Sequence, residues 1–283
     1  MSPRLAYAVF MLLALAVFLL VRHFVPKPAG LQRLPWWKRA ALALAAFVGG
    51  SLGGKLPFAL GAGPNAWLDG SAWFSDGKTI VAALIGAYLA VELAKWALDV
   101  RVKTGDTFAL PLALALTVGR WGCFCNGCCY GTETDLPWGA WFRVPGPDGP
   151  RLMKCHPTQI YESLFHFMMA WVLLVMTLRD ALPSQRLKLY LIAYGLYRFA
   201  TELIRPEPAW WLGLTFYQWA ALALVAGLSL QWLSQCARQP FAPETAGIIP
   251  GPLDSGAAAG VNSGTGRFPP SARLPTFREE TRP

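Results

Sequence analysis

Seven apolar runs dominate this chain: Leu5–Val21, Ala40–Leu60, Thr79–Leu98, Thr107–Gly122, Ile160–Leu178, Leu187–Ile204 and Leu212–Leu233. A bilayer core requires about 20 apolar residues per helix, within a range of roughly 17–25. Backbone polar groups must be satisfied inside each such segment, which leaves helices as the spanning structure. At 54% hydrophobic and 14% charged over 283 residues, the composition excludes an ordinary soluble enzyme. Tryptophans cluster at run ends (Trp36, Trp37, Trp73, Trp121, Trp138, Trp210, Trp211), as headgroup-depth anchors do. The expected fold is an all-α membrane protein, a bundle of about seven transmembrane helices with a small outer-face loop cap.

The formal net charge of +9 does not point to nucleic acid, because no soluble module carries a basic stripe with interleaved aromatics. The basic residues flank apolar runs instead, so anionic membrane lipid is the expected partner. Arg22, Lys27, Arg33, Lys38 and Arg39 follow the first run. Arg101 and Lys103 follow the third, and Arg179, Arg186 and Lys188 the fifth. The link after the second run has only Lys78, offset by Asp69 and Asp76. The cytoplasmic Lys/Arg excess then places the N-terminus outside and the C-terminus inside. The first run reads as a retained anchor, since its charge cluster follows the apolar core and no small-residue cleavage site comes after it. Residues 1–236 form the expected membrane domain. The Pro/Gly/Ala/Ser-rich stretch 237–283 is an expected disordered cytoplasmic tail. The glycine- and proline-rich loop Leu136–Cys155 is expected to form a cap or hairpin.

Polar residues within this apolar frame are the candidates for chemistry. Gly119-Arg120-Trp121-Gly122-Cys123-Phe124-Cys125-Asn126-Gly127-Cys128-Cys129-Tyr130-Gly131 follows an apolar run directly. Such a stretch is tolerated at membrane depth only when it lines an enclosed site or a wet cavity. Arg120 and Arg198 are therefore candidate phosphate clamps, each presenting a fork of donors. Interfacial snorkelling, or for Arg198 a simple pair with Glu202 on the same helix face, are the competing readings. Arg205, at a helix end, reads most simply as a snorkelling side chain. His156-Pro157 opens a helix, with Gln159, Tyr161 and Glu162 in its first turn. His156 is a candidate general base or a loop tether. Tyr161 and Glu162 are candidates for a ligand headgroup or for tying the loop to the bundle. His166 is expected to face its neighbours inside the bundle.

The cysteines Cys123, Cys125, Cys128 and Cys129, with Cys155 a loop away, leave three readings open. A disulfide suits an oxidising outer face. The Cys125–Cys128 spacing suits a metal or iron–sulfur site. Small packing residues in a tight turn are the third. No residue is assigned as a metal ligand at this stage.

These patches resemble the prolipoprotein diacylglyceryl transferase family. That family carries Gly-Arg-x-Gly-Asn-Phe-x-Asn-Gly, matched by Gly119–Gly127, and His-Pro-Ser-Gln-Leu-Tyr-Glu, matched by His156–Glu162. Its later arginine matches Arg198 within Tyr194-Gly195-Leu196-Tyr197-Arg198-Phe199, with Glu202 and Arg205 following. The departures are Cys123 for an asparagine, Cys128 for a glutamate, and Val81 for a histidine on the third helix, which looks like a divergent, cysteine-rich branch. The resemblance implies a bacterial inner-membrane enzyme. It moves a diacylglyceryl group from phosphatidylglycerol to the lipobox cysteine of a preprolipoprotein, with no cofactor. It implies catalytic roles for Arg120, Arg198 and His156. Substrate contacts are implied for Asn126, Gly131, Tyr161, Glu162, Glu202 and Arg205. Two other readings use the same scaffold: a thiol-redox or metal-handling protein working through Cys123–Cys129, and a non-catalytic lipid-binding relative.

Overall fold

A computed structural model of the chain describes residues 2–61 and 79–238. The expected tail from residue 239 onward, and the link carrying Asp69, Trp73, Asp76 and Lys78, lie outside the described residues. Eight α-helices are described: α1 Pro3–Phe24, α2 Ala29–Arg33, α3 Trp36–Gly61, α4 Ile80–Ala97, α5 Asp106–Asn126, α6 Thr158–Leu178, α7 Arg186–Thr201 and α8 Phe216–Arg238. A 3-10 turn, Glu202–Ile204, extends α7. Two short antiparallel hairpins complete the chain: β1 Ala140–Val144 with β2 Arg151–Cys155, and β3 Ala209–Trp211 with β4 Leu214–Thr215.

Six helices (α1, α3, α4, α5, α6 and α8) are long and apolar enough to cross a bilayer. The remaining expected run became α7, which has 16 residues and buries Arg186, Lys188 and Arg198. Polar content explains the difference: α7 faces its neighbours rather than lipid. The six long helices turn large apolar side chains outward, with Leu12 67%, Phe47 72% and Trp171 64% exposed. In water such a surface would aggregate; in a bilayer it is the solvated face.

Helix starts and stops follow local chemistry. At α1 the Ser2 hydroxyl accepts from the Leu5 amide at 3.3 Å, and proline occupies the first turn. α5 ends not at Gly122, as the sequence suggests, but at Asn126, capped by Gly127 in the left-handed conformation (φ 71°). Gly122 is a contact glycine instead: a Cβ there would lie 3.0 Å from the Phe10 Cβ of α1. Half of the cysteine motif is therefore helix. The last helix starts at Phe216 rather than Leu212, because the β3–β4 hairpin occupies the preceding residues and includes Trp211. It runs two residues past the expected domain boundary at 236.

Small residues set the packing of α3 on α4. Across α3 and α4, a Cβ at Gly53 would lie 2.5 Å from the Ala82 carbonyl oxygen and 2.9 Å from the Gly86 Cα. The Gly49–Gly54 patch thus lets two backbones approach closely, as expected of small-residue stripes. The buried core joins Val81, Ala109, Ala113, Leu173, Tyr190, Leu191 and Tyr194 from α4, α5, α6 and α7. Val81, at the position of the family histidine, is fully buried within it. The β1–β2 hairpin is the expected loop cap.

Candidate functional site

Three helix ends meet at one end of the bundle. The last turns of α5 carry Arg120, the first turns of α6 carry Glu162, and the last turns of α7 carry Tyr194 and Arg198. The 3-10 turn adds Glu202, and Arg205 follows it. Backbone bonds hold this junction. The Gly131 amide donates to the His156 carbonyl at 2.8 Å, and the Thr132 amide to the Ile204 carbonyl at 2.8 Å. The Gln159 side chain donates to the Cys128 carbonyl at 2.6 Å, and Ser163 to the Thr117 carbonyl at 2.9 Å. The motif loop is thereby stitched to the start of α6 and to the residue before Arg205.

Glu162 is the hub. It is 0% exposed. Arg120 Nη2 donates to its Oε1, Tyr194 Oη donates to the same oxygen at 2.6 Å, and Arg205 Nη2 donates to Oε2 at 3.1 Å. Arg198 pairs with Glu202 at 2.8 Å, and Thr215 Oγ1 donates to the other Glu202 oxygen at 3.1 Å. A buried carboxylate is tolerable only with such compensation. The compensation is incomplete on the cationic side. Arg120 Nε, Arg198 Nη1 and Arg205 Nε are buried and have no hydrogen-bond partner. All three arginines line one cavity of about 460 Å³, together with Tyr194, Tyr217, Cys128 and Cys129.

The structure thus brings together Arg120, Arg198, Glu162, Glu202 and Arg205 from the candidate set. Arg205 does not snorkel: its side chain is 9% exposed, because the Glu162 carboxylate holds it inward. Glu162 meets the arginines rather than open cavity space. His156 is placed elsewhere. Its Nδ1 lies 3.3 Å from Tyr161 Oη, which in turn accepts from Trp138 Nε1 at 2.9 Å, and none of the three lines the cavity. The chain geometry explains this: His156 continues the β2 edge, its amide bonded to the Thr132 carbonyl at 3.0 Å. This placement fits the tether reading of His156, with Tyr161 as its partner. Asn126 is exposed on the last turn of α5 and does not line the cavity. Gly131 is buried between strands of chain: a Cβ there would lie 2.6 Å from the Ile204 carbonyl oxygen and 2.8 Å from the His156 Cβ. It is a close-approach residue rather than a headgroup contact.

Sequence reasoning passed over Tyr194 and Tyr217. The signal for Tyr194 was available, since it stands four residues before Arg198 on the same helix face. His166, expected to face its neighbours, is fully buried, with Nδ1 2.8 Å from Tyr190 Oη and Nε2 3.8 Å from Glu162 Oε1. The six cysteines are free thiols. Cys123, Cys128 and Cys129 converge, whereas Cys125 is exposed and stands apart from them.

Apolar helices that close around buried, incompletely paired guanidiniums define a multi-pass membrane protein with a polar cluster inside the bundle. The chain belongs to the prolipoprotein diacylglyceryl transferase family, whose model matches residues 4–233. It is 37% identical over 174 residues to the phosphatidylglycerol–prolipoprotein diacylglyceryl transferase of Clostridium tetani, covering 59% of this chain and 68% of that one. Similar proteins of the same name come from Verminephrobacter eiseniae and Bordetella avium. The first is 30% identical, over 83% of this chain and 87% of the relative. The second is 32% identical, over 81% and 84%.

Proposed function

We propose that this protein transfers a diacylglyceryl group from phosphatidylglycerol to the lipobox cysteine thiol of preprolipoproteins, and that the arginine cavity holds the lipid phosphate. Family membership and the names of its relatives support the transfer. One observation carries the assignment of the cavity: each of three arginines that line it keeps a buried donor nitrogen with no partner. Four arginines line the cavity (Arg120, Arg143, Arg198 and Arg205) against three carboxylates, Glu207 on its wall and Glu162 and Glu202 paired to the arginines, which leaves one positive charge over. A phosphodiester carries one negative charge and acceptor oxygens for the free donors, so it complements both deficits.

In the reaction the lipobox sulfur attacks the glyceryl carbon that bears the phosphate ester. A carbon–sulfur bond forms, the carbon–oxygen bond breaks, and glycerol phosphate leaves with the electron pair. Arg120 and Arg198 stabilise charge that builds on the departing phosphate. Glu162 and Glu202 hold those guanidiniums in place, so the donors need no reorganisation during the step. The thiol must lose its proton to attack. No described histidine lines the cavity but Glu207 does, so that proton passes to Glu207, to the departing phosphate or to solvent. The orientation reading supports a bacterial plasma-membrane protein with its N-terminus outside, its site at the outer leaflet, and residues 237–283 as a cytoplasmic tail. The thiol-redox and metal-handling readings are not favoured as the main activity, because the matched family motifs converge on the arginines.

The test is incubation of the purified protein with radiolabelled phosphatidylglycerol and a lipobox peptide. The expected result is a thioether-linked peptide with release of glycerol phosphate, lost in Arg120→Ala. Absence of product from the wild-type protein, or retention of full activity in Arg120→Ala, overturns the reading.

A further inference from the structure

We propose that the thiols of Cys123, Cys128 and Cys129 form a three-sulfur site for one copper(I) ion on the wall of the arginine cavity. Their sulfur atoms all lie within 4.8 Å of one another. A metal–sulfur bond of about 2.3 Å puts the three sulfurs of a trigonal site about 4 Å apart. Closing the trio onto an ion therefore requires a shift of less than about 1 Å per pair, which side-chain rotation supplies.

The backbone is built to present the trio. Cys123 sits in the last turn of α5, and Gly127 reverses the chain in the left-handed conformation. The Cys128 amide then donates back to the Cys123 carbonyl at 3.2 Å. Cys129 takes a left-handed backbone itself (φ 63°), a conformation that is costly for a residue with a side chain. Two side chains from the start of α6 pin this turn. Thr158 Oγ1 donates to the Cys129 carbonyl at 2.5 Å, and Gln159 Nε2 to the Cys128 carbonyl at 2.6 Å. Two adjacent cysteines are thus directed at a third, one helical turn back, by bonds unrelated to the arginine network.

The donor set selects the ion. Thiolates are soft ligands and favour copper(I), zinc or iron–sulfur clusters. Among the described residues no histidine or carboxylate joins the trio. Structural zinc takes four protein ligands, and iron–sulfur clusters take four cysteines. Zinc held by three protein ligands needs a water to complete its shell, whereas copper(I) is satisfied by the three thiolates alone. Binding releases the thiol protons and changes no oxidation state, because the ion arrives as copper(I). Three thiolates around a monovalent ion carry two net negative charges. Cys129 lines the same cavity as Arg120 and Arg205, so the loaded site competes with a phosphate for the one positive charge left over there. The exposed Cys125, the natural choice from Cys-x-x-Cys spacing, takes no part. The site requires no lipid chemistry and stands whether or not the transfer reading holds.

The test uses the full-length, reduced protein in detergent under anaerobic conditions, titrated with copper(I) against the chromophoric chelator bicinchoninate. The expected result is one copper(I) retained per chain, with X-ray absorption showing three sulfurs at about 2.3 Å. Cys123→Ser, Cys128→Ser and Cys129→Ser each weaken retention at least tenfold, while Cys125→Ser and Cys236→Ser leave it unchanged. Thermal unfolding of each variant, matched to wild type, separates loss of ligand from loss of fold. Failure of the wild-type protein to compete with the chelator overturns the proposal. So does equal weakening by Cys125→Ser, or a one-to-one zinc complex formed under conditions where copper(I) is not retained.

Discussion

Arg120 and Arg205 grip opposite oxygens of the same carboxylate, that of Glu162, although one comes from α5 and the other follows the 3-10 turn after α7. The carboxylate has no exposure of its own, so it serves as the strut that sets the two guanidiniums apart. Glu162→Gln keeps the shape and removes the charge. Removing one partner of a buried pair costs about 3–5 kcal/mol of stability. Small misplacement of catalytic groups costs about a hundredfold in rate. The expected outcome is a lower unfolding temperature in detergent and a drop in kcat larger than any rise in KM. Wild-type turnover in Glu162→Gln would remove the strut from the account.

Arg198→Lys tests whether fork geometry matters beyond charge. Lysine can still pair with Glu202, but it cannot direct a second planar donor into the cavity. Loss of one aligned donor costs about 100- to 1,000-fold in rate. Transfer assays with the label on the lipid measure this directly, and a change below about fivefold shows that charge alone suffices.

His156 gives the opposite expectation. Its ring bonds Tyr161 outside the cavity. A general base contributes about 100- to 10,000-fold. His156→Asn should therefore keep its rate well above the lower of those losses and leave the pH–rate profile unshifted. A hundredfold loss with the neutral limb of that profile abolished restores His156 as a base.

Gly131→Ala should be among the more damaging single-methyl changes in the chain. The added carbon meets the Ile204 carbonyl and the His156 Cβ, both fixed by backbone bonds. Overpacking of this kind costs about 1–3 kcal/mol. The measurement is the thermal midpoint, and an unchanged midpoint shows that the 131–132 loop relaxes freely.

Cys155 offers a pH test at the hairpin. Burial pushes its thiol up, and the nearby Glu133 carboxylate adds to the effect. A raised value means the folded protein keeps the proton longer than the unfolded chain. Stability from this source is thus present below the ordinary thiol range of about 8.5 and is lost as pH rises through the folded value. Maleimide labelling of a variant retaining only Cys155 should be at least tenfold slower than free cysteine at pH 7, and the gap should narrow above pH 9. Equal rates at pH 7 contradict the burial.

Apolar length and charge asymmetry are enough to read the bundle from the chain, because a bilayer imposes both requirements on each segment separately. Arg120 and Arg198 were legible for the same reason: an arginine inside an apolar run has few other uses. Arg205 and Glu162 were harder. Each sits at a helix end, where snorkelling and dipole effects are sufficient local explanations, and only the fold shows that they meet. His156 left two readings open in sequence, base or tether, because its neighbours belong to the site while its own ring contacts Tyr161. The cysteines show a similar limit. Spacing favours Cys125 with Cys128, yet the helix runs four residues past Gly122 and turns Cys125 outward, so the trio depends on where α5 stops.

Helix α7 has 16 residues. At 1.5 Å per residue the α-helical part rises only about 24 Å, and it takes the 3-10 turn Glu202–Ile204, at about 2 Å per residue, to reach the roughly 30 Å of a hydrocarbon layer. The span is thus completed by a turn that carries the buried carboxylate Glu202, and a polar end of this kind is accommodated by local thinning of the membrane beside it. A depression of this kind beside Arg198 would let a lipid head tip inward without leaving its leaflet, and would admit water and a thiol from the aqueous side. Reaction rates in bilayers of graded acyl length report it: thicker membranes should slow transfer, and a flat response would mean that the neighbouring helices absorb the difference.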